Sequence, residues 1–267
     1  MNKIYLIAPQ SLVAVISILM IFLYSPLKSI EGISEKKIKQ KQELRRETSV
    51  PILLYHNING KGPYSVTEDQ LRKHFEFYRN NNIKVISLRL LLKHIDEKIP
   101  FKGKVMVITF DDGYPSTYSI LKPLTEEFKY PVTLFVYVKA IHNRGKRTLT
   151  WKKLKKMDRG YIDIQCHSFS HSDLVKGLNE GKSDLLYREL VVSRKYIEMK
   201  MNKKIDFFAF PYGRYNLELL ELCNNAGYTR TFSTEFGPNI VGRNNYCLRR
   251  HHIKNSYSLS FIKKLID

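Results

Sequence analysis

Two pairs of side chains have types and spacings that could support metal-assisted hydrolysis. Asp111 and Asp112 follow the apolar run at residues 105–108, and adjacent carboxylates at the end of a buried strand are costly unless a cation or hydrogen bonds compensate. His167 and His171 stand four residues apart, a frequent spacing of metal ligands. Because consecutive side chains diverge, one Asp can bind a metal while the other accepts a proton. Two His and one carboxylate form the open ligand set of catalytic zinc and non-haem iron.

Each pair also has an ordinary structural explanation. Asp-Gly at 112–113 is a common turn sequence, and with eight His in the chain a His-x3-His spacing can arise by chance or form a capped turn. Both motifs follow a predicted strand, however, and this shared placement favours the functional interpretation.

Two further loops carry groups that could assist the same chemistry. His56 follows the apolar run at 51–55, and the pKa of His suits a general acid, although a lone His is more often structural. Tyr212 lies in a Pro-Tyr-Gly sequence that forces a turn. Such a turn could present a backbone N–H as an oxyanion donor, and a plain strand-to-helix turn explains it equally well.

Short apolar runs rich in β-branched and aromatic residues predict the strands that position these loops. Because the runs are apolar on both faces, they favour a mostly parallel sheet. The predicted strands are residues 51–55, 84–88, 104–110, 132–138, 162–165, 207–210 and 229–233. The predicted helices begin at a Thr67 capping box and otherwise span residues 118–128, 151–157, 184–199, 217–226 and 259–266.

This alternation predicts an α/β fold, either a barrel or an open sheet. Seven strand candidates slightly favour a barrel-like closure. In both architectures, functional loops follow the carboxyl ends of the strands.

The order of the motifs resembles that of the NodB-homology polysaccharide deacetylases. The matching segments are Tyr-His-Asn-Ile at 55–58, Thr-Phe-Asp-Asp-Gly at 109–113, His-Ser-x-x-His at 167–171 and Phe-Pro-Tyr-Gly at 210–213. The resemblance covers roughly residues 50–267.

Three segments resemble one branch of that family, the poly-β-1,6-N-acetylglucosamine N-deacetylases of biofilm exopolysaccharide systems. They are the segment at 55–58, Trp-Lys-Lys-Leu at 151–154 and Leu-Arg-Arg-His-His-Ile at 248–253. The resemblance implies a distorted (β/α)7-type barrel. It also implies hydrolysis of N-acetyl groups to acetate and glucosamine units.

The resemblance also assigns roles to individual residues. One divalent metal, most simply zinc, with iron, cobalt or nickel as alternatives, would be held by Asp112, His167 and His171. Asp111 would be the general base and His56 the acid that protonates the departing amine. The Tyr212 backbone N–H would stabilise the oxyanion.

One position departs from the wider family, which has an Arg two residues before the Pro of the last motif. Ala209 occupies that position here. Arg250 in the late Leu-Arg-Arg run is the predicted substitute that orients the base. The neighbouring His251 and His252 receive no role.

The amino terminus predicts a membrane segment. Residues 4–27 are mostly apolar and follow Lys3, and this length can cross a bilayer. Residues 1–27 are therefore interpreted as a signal anchor, with a cleaved signal peptide as the alternative. Residues 28–48 form a charged linker and residues 49–267 the deacetylase domain. The expected location is extracytoplasmic: anchored at the cell surface or periplasmic face, or secreted after cleavage.

Composition limits the function classes. The 267 residues contain three Cys, which excludes a disulfide-stapled scaffold. The net charge of +20 favours polyanionic partners or reflects a Lys-rich coding bias. No nucleic-acid module is recognisable, so no nucleic-acid partner is expected. The expected partners are an N-acetylglucosamine polymer, the membrane, and exopolysaccharide synthesis or export machinery.

Two alternatives to the exopolysaccharide substrate stay open. The same motifs fit deacetylation of peptidoglycan or chitin-like oligomers, since the motifs do not encode the linkage. The positive charge suits a neutral or anionic wall polymer better than a product that becomes cationic. A catalytically inactive glycan-binding protein is the non-enzyme alternative, but all the expected ligands and the base are present.

Overall fold

A parallel β-sheet lies at the centre of the fold. The computed structural model describes residues 49–142, 149–243 and 245–266, within one unit, Glu47–Asp267. The strands of the described part are β1 Ser49–Val50, β2 Ile52–Tyr55, β3 Asn57–Ile58, β4 Ser65–Val66, β5 Lys84–Val85, β6 Val105–Phe110, β7 Val132–Val136, β8 Ile162–Cys166, β9 Phe207–Ala209, β10 Arg230–Phe232, β11 Asn239–Ile240, β12 Cys247–Leu248 and β13 His251–His252.

The central sheet has the strand order β12-β10-β9-β8-β7-β6-β2-β13, and β5 pairs with the start of β6. All pairs in this sheet are parallel. The strands are buried on both faces. Val107 and Phe135 belong to one apolar cluster, whereas Ile108 and Leu134 belong to the other. The carboxyl ends of β2, β6, β8 and β9 therefore meet at one edge of the sheet.

Helices connect the strands. They are α1 Glu68–Asn80, α2 Leu88–Asp96, α3 Lys122–Phe128, α4 Val138–His142, α5 Trp151–Asp158, α6 Leu174–Asn179, α7 Ser183–Tyr187, α8 Ser193–Met201, α9 Leu217–Asn225 and α10 Leu259–Ile266. Two π-helical turns, Thr117–Leu121 and Arg188–Val192, precede α3 and α8, and a 3₁₀ turn spans Pro211–Gly213. The predicted capping box of α1 is confirmed, since Thr67 accepts from the Gln70 backbone N–H at 3.1 Å.

The predicted α/β class is confirmed, but the sheet forms only part of the predicted distorted (β/α)7-type barrel. It is a curled half-barrel of parallel strands, and its end strands β12 and β13 do not pair with each other within the described residues. The side chain of Asn239 on β11 binds the backbone of Arg249, which lies between β12 and β13 in the chain. Its amide donates to the Arg249 carbonyl at 2.9 Å, and its oxygen accepts from the Arg249 N–H at 2.9 Å.

The predicted strand at residues 84–88 is too long. Ser87 is the N-cap of α2, and its side chain accepts from the Leu90 backbone N–H at 3.2 Å. The chain therefore turns into a helix at Leu88 that the sequence interpretation did not include. The predicted membrane segment and linker lie outside the described residues. In the part of the chain that is described, no helix combines the length and apolar character needed to span a bilayer.

Candidate active site

Four loops at the carboxyl edge of the sheet bring together the residues that the motifs singled out. Asp111 and Asp112 follow β6, and His167 follows β8. His56 follows β2, and Tyr212 lies in the 3₁₀ turn after β9. The parallel register carries all of them to the same edge, because each residue directly follows the end of its strand or lies a few residues beyond it.

Asp111 forms a buried ion pair with Arg250. The two guanidinium Nη atoms donate to the two carboxylate oxygens at 2.7 and 2.8 Å, and Arg250 Nε donates to the Ser233 carbonyl at 3.1 Å. Both charged side chains are 2% exposed or less. The guanidinium also lies over the Phe135 ring at 5.1 Å. This bidentate geometry fixes the orientation of the Asp111 carboxylate.

The two adjacent carboxylates differ in acidity. Burial alone would raise the pKa of Asp111. The charge and hydrogen bonds of Arg250, together with His167 and His56, outweigh burial and hold that pKa well below its usual range. Burial and the nearby Asp111 charge raise the pKa of Asp112 to about 7. Asp111 therefore stays ionised at neutral pH, whereas the ionised form of Asp112 needs a nearby positive charge to stabilise it.

Asp112, His167 and His171 form a group that could hold a metal ion. One donor atom from each lies within 4.8 Å of the others. Asp112 Oδ1 lies 3.7 Å from His167 Nε2 and 3.5 Å from His171 Nε2, and it is buried without a hydrogen-bond partner. An unpaired buried carboxylate oxygen beside two imidazole nitrogens fits a divalent cation that accepts mixed N and O ligands.

The ring of His167 is already oriented for such a role. Its Nδ1 lies 2.8 Å from the Ala209 carbonyl, and since a carbonyl only accepts, Nδ1 carries the proton and Nε2 keeps its lone pair. Burial lowers the pKa of His167 to about 3, which keeps the ring neutral. Ala209 stands where the wider family has an Arg, and here its backbone oxygen supplies the outer contact that orients a ligand His.

Several site residues adopt left-handed backbone conformations. Asp112 has φ +73°, Ser168 +82°, His171 +60° and Tyr212 +60°. Non-glycine residues pay about 1–3 kcal/mol for such conformations and keep them only where the surroundings enforce them. At Gly213 the tight turn excludes any side chain, because a Cβ would lie 2.0 Å from Thr234 Oγ1.

His56 lies in an aromatic group at the mouth of the site. Its ring stacks on His252 with a centroid separation of 5.4 Å and an interplanar angle of 14°, and Tyr64 contacts both rings at 5.8 and 4.8 Å. Burial lowers the pKa of His56, while the charges of Asp111 and Arg250 act on it in opposite directions. The charges of the buried Asp111–Arg250 pair therefore affect the protonation of the His56 ring.

Tyr212 borders the group formed by Asp112, His167 and His171. Its ring meets the His171 ring edge-on at a centroid separation of 4.7 Å, and 61% of the residue is exposed. The Tyr137 ring also contacts the His171 ring, at a centroid separation of 5.4 Å. Together these two tyrosine rings flank His171 on the partly exposed side of the site.

The sequence interpretation gave no role to His252 or Tyr64, which surround His56. The signal for His252 was present in the late His-His pair. Its placement, however, depends on the parallel pairing of β13 with β2, which aligns His252 with Leu54. Two residues of strand are too few for periodicity to reveal this pairing.

Comparisons with known proteins agree with this architecture. A family model described as polysaccharide deacetylase matches residues 98–231. YxkH of Bacillus subtilis, whose name places it among polysaccharide deacetylases, is 27% identical over 243 residues, covering 87% of this chain and 85% of YxkH. A Staphylococcus aureus protein named poly-β-1,6-N-acetyl-D-glucosamine N-deacetylase is 23% identical over 282 residues, covering 94% and 95%.

Two solved structures share the fold. The Streptococcus pyogenes deacetylase PplD, solved in complex with acetate, has a TM-score of 0.74 at 21% identity and covers 83% of this chain and 99% of its own. IcaB from Ammonifex degensii has a TM-score of 0.71 at 18% identity and covers 82% and 96%. At these identities the structures establish the fold alone.

Proposed function

Because the chain belongs to the polysaccharide deacetylase family, we propose that it removes N-acetyl groups from an extracytoplasmic N-acetylglucosamine polymer. Poly-β-1,6-N-acetylglucosamine is the proposed substrate. The match to the Staphylococcus aureus enzyme of that name, over 94% of this chain, supports this choice. The deacetylase activity follows from the family; the linkage is the proposal.

One structural observation carries the chemical part of the proposal. A buried, unpaired oxygen of Asp112 faces two imidazole nitrogens, and the neighbouring Asp111 is held ionised by Arg250. We assign one divalent cation, zinc by preference, to Asp112, His167 and His171. When bound, such a cation supplies Lewis acidity, which polarises the acetyl carbonyl and makes water more acidic.

Asp111 is the proposed general base. Its Oδ2 lies 3.7 Å from His167 Nε2, so this oxygen borders the ligand group and would accept the proton of the attacking water. Arg250 keeps the carboxylate ionised and prevents it from rotating. The new C–O bond forms first and gives a tetrahedral oxyanion; the amide C–N bond then breaks, and the acetyl group leaves as acetate.

His56 and Tyr212 complete the proposed mechanism. His56 would donate a proton to the departing amine nitrogen, which leaves as a glucosamine amine. The Tyr212 backbone N–H, in the 3₁₀ turn beside His171, would stabilise the developing oxyanion. Each amine formed is protonated near neutral pH, so the polymer gains positive charge.

The location of the enzyme is a separate proposal. Residues 1–27 would anchor the chain, residues 28–48 would act as a charged linker, and residues 49–267 would act outside the cytoplasm. Protease treatment of intact cells tests this proposal: the domain should be cleaved without lysis. Protection until lysis would contradict it.

Acetate release from matched oligomers tests the substrate. The purified, zinc-loaded chain is incubated with β-1,6- and β-1,4-linked N-acetylglucosamine oligomers, each with a chelated control. Release from the β-1,6 oligomer, abolished by chelation, is the expected result. Preference for the β-1,4 oligomer would move the substrate to a wall or chitin-like glycan. No release from either oligomer would contradict the proposed substrate class.

A further inference from the structure

The loop between the two His ligands has an unusual backbone. Ser168 and His171 both have positive φ, a backbone conformation that is uncommon for residues other than glycine. Ser168 Oγ accepts from the His171 N–H at 2.9 Å, and the Phe169 carbonyl accepts from Lys139 N–H at 2.7 Å. These contacts leave the N–H groups of Phe169 and Ser170 to be satisfied from another element.

Glu189 supplies the acceptor for both groups. Its Oε2 accepts from the Phe169 N–H at 3.0 Å and from the Ser170 N–H at 2.8 Å. Its Oε1 accepts from Ser170 Oγ at 2.5 Å. Glu189 is fully buried and lies in the π-helical turn Arg188–Val192, a feature that is frequent at functional sites.

The turn that carries Glu189 is itself tied to the end of β8. Ser193 Oγ donates to the Glu189 carbonyl at 2.5 Å, and Cys166 Sγ donates to Ser193 Oγ at 3.4 Å. Cys166 directly precedes His167. Glu189 is thus fixed relative to the strand that presents the first His ligand.

We propose that Glu189 is a positioning residue that holds the 167–171 loop in the shape that brings His171 to Asp112 and His167. It does not touch the ligand atoms; it acts through the backbone of the two residues between the His ligands. The inference rests on the proposed metal site. Without the carboxylate, two N–H groups lose their acceptor and the loop loses its link to the Arg188–Val192 turn.

A Glu in this position has two separable properties, reach and charge. Gln keeps the reach, because its amide oxygen can accept from both backbone N–H groups while its NH₂ faces Ser170 Oγ. Asp keeps the charge but is one methylene shorter, so its oxygens draw back from the loop. Positioning through reach therefore predicts that Gln is the better replacement.

Glu198 offers a matched control on the same helical run. Its Oε1 accepts from the Ile205 backbone N–H at 3.0 Å, so it also holds a loop by its backbone. That loop contains none of the assigned ligands. Glu198→Ala therefore reports the general cost of releasing a loop from this helix.

The experiment measures Zn²⁺ affinity of the full chain by competition with a chromophoric chelator, and the visible spectrum with Co²⁺ in place of Zn²⁺. Glu189→Ala should weaken Zn²⁺ binding by about 10- to 100-fold, the usual cost of removing an outer-shell partner, and should change the Co²⁺ spectrum. Glu189→Gln should recover most of the affinity and Glu189→Asp less. Glu198→Ala should leave both readouts unchanged.

Three results would overturn the inference. They are wild-type Zn²⁺ affinity in folded Glu189→Ala, equal weakening by Glu198→Ala, and tighter binding by Glu189→Asp than by Glu189→Gln. If Glu189→Ala does not fold, the comparison of Gln with Asp decides. Failure of the wild-type chain to bind Zn²⁺ would instead contradict the proposed metal site itself.

Discussion

The central sheet carries Asp residues at both ends of its strands, the amino ends and the carboxyl ends, but their charged neighbours differ. Near the amino ends of β8 and β9, Asp163 pairs with Arg89 at 3.3 Å and with Lys203 at 2.5 Å. Asp206 pairs with Arg89 at 2.8 Å. At the carboxyl edge, Asp112 has an oxygen that is buried and unpaired.

Solvent exposure separates the two ends further. The side chain of Arg89 is 48% exposed, whereas that of Arg250 is completely buried. Half-exposed ion pairs are worth little and tolerate change, while a buried pair is costly to break. The lesson lies in the neighbours of each carboxylate. Asp206 Oδ1 also lacks a hydrogen bond but lies 3.1 Å from Lys204 Nζ, whereas Asp112 Oδ1 faces the imidazoles of two histidines.

The largest expected effect concerns the proposed proton donor at the carboxyl edge. His56→Gln should lower kcat by about 100- to 10,000-fold, the range for loss of a general acid. His74 on α1 serves as the control. Its Nδ1 lies 3.0 Å from Tyr55 Oη, and it is not one of the proposed ligands or catalytic residues. His74→Gln should reduce stability with little change in kcat. Rates of acetate release and thermal unfolding measure both; equal kcat in the two variants would remove the role of His56.

Matched Arg replacements compare the two ends directly. Arg250→Met leaves Asp111 buried and unpaired, so it should lower the free energy of unfolding by about 3–5 kcal/mol. Arg89→Met should cost about 1 kcal/mol or less. Denaturant titration gives both values. Similar losses would show that the two pairs are energetically alike and would break the comparison.

Matched Asp replacements should change stability in opposite directions. Asp163→Asn weakens partly exposed ion pairs and should lower the free energy of unfolding by about 1 kcal/mol or less. Asp112→Asn removes a buried carboxylate charge, so it should raise the free energy of unfolding of the metal-stripped chain by about 1–2 kcal/mol. The same substitution should weaken Zn²⁺ binding. Destabilisation of the metal-stripped chain by Asp112→Asn would contradict the claim that this oxygen lacks a partner.

The increase in the free energy of unfolding caused by Asp112→Asn should depend on pH. The pKa of Asp112 rises from 3.8 to about 7 on folding, so the folded chain binds more protons between these values. The contribution of the Asp112 carboxyl to the free energy of unfolding therefore falls as pH rises from about 4 to about 7, whereas the Asn side chain of the variant does not titrate. The difference between variant and wild type should be small at pH 4 and full above pH 7. Denaturant titration with chelator at several pH values measures it.

The smallest expected effect is the salt dependence of the Arg replacements. At 1 M salt the Debye length is about 3 Å, so the small cost of Arg89→Met should largely disappear. The cost of Arg250→Met should persist, because this pair is shielded from solvent. Repeating the denaturant titrations at low and high salt tests this. If the destabilisation by Arg250→Met disappeared at high salt, the Asp111–Arg250 pair would have to be exposed to solvent.

The sequence predicted the parts of the site that adjoin strong strands. Asp111 and His167 follow segments that were predicted as strands, so their convergence at one edge needed only the parallel topology. Arg250 was expected from the family resemblance, and the structure places its guanidinium on Asp111. Nothing in the local pattern around Arg250 indicates this contact across 139 residues.

The remaining features depend on long-range packing. The open edge of the sheet follows from two-residue strands, β12 and β13, which carry no readable periodicity. The π-helical turn at Arg188–Val192 interrupts what the sequence pattern predicts as one helix over 184–199. Glu189 resembles an ordinary polar helix residue in the sequence, and only its burial against the 167–171 loop distinguishes it.

Asp111→Asn tests the central claim most directly. On one zinc-loaded preparation, bound metal and acetate release from the preferred oligomer are measured together, with Asp163→Asn as the matched control. The account predicts that Asp111→Asn retains metal but loses turnover by about 100- to 10,000-fold, while Asp163→Asn keeps both. Near-normal turnover of Asp111→Asn would contradict the assignment of the base and with it the contrast between the two ends of the sheet.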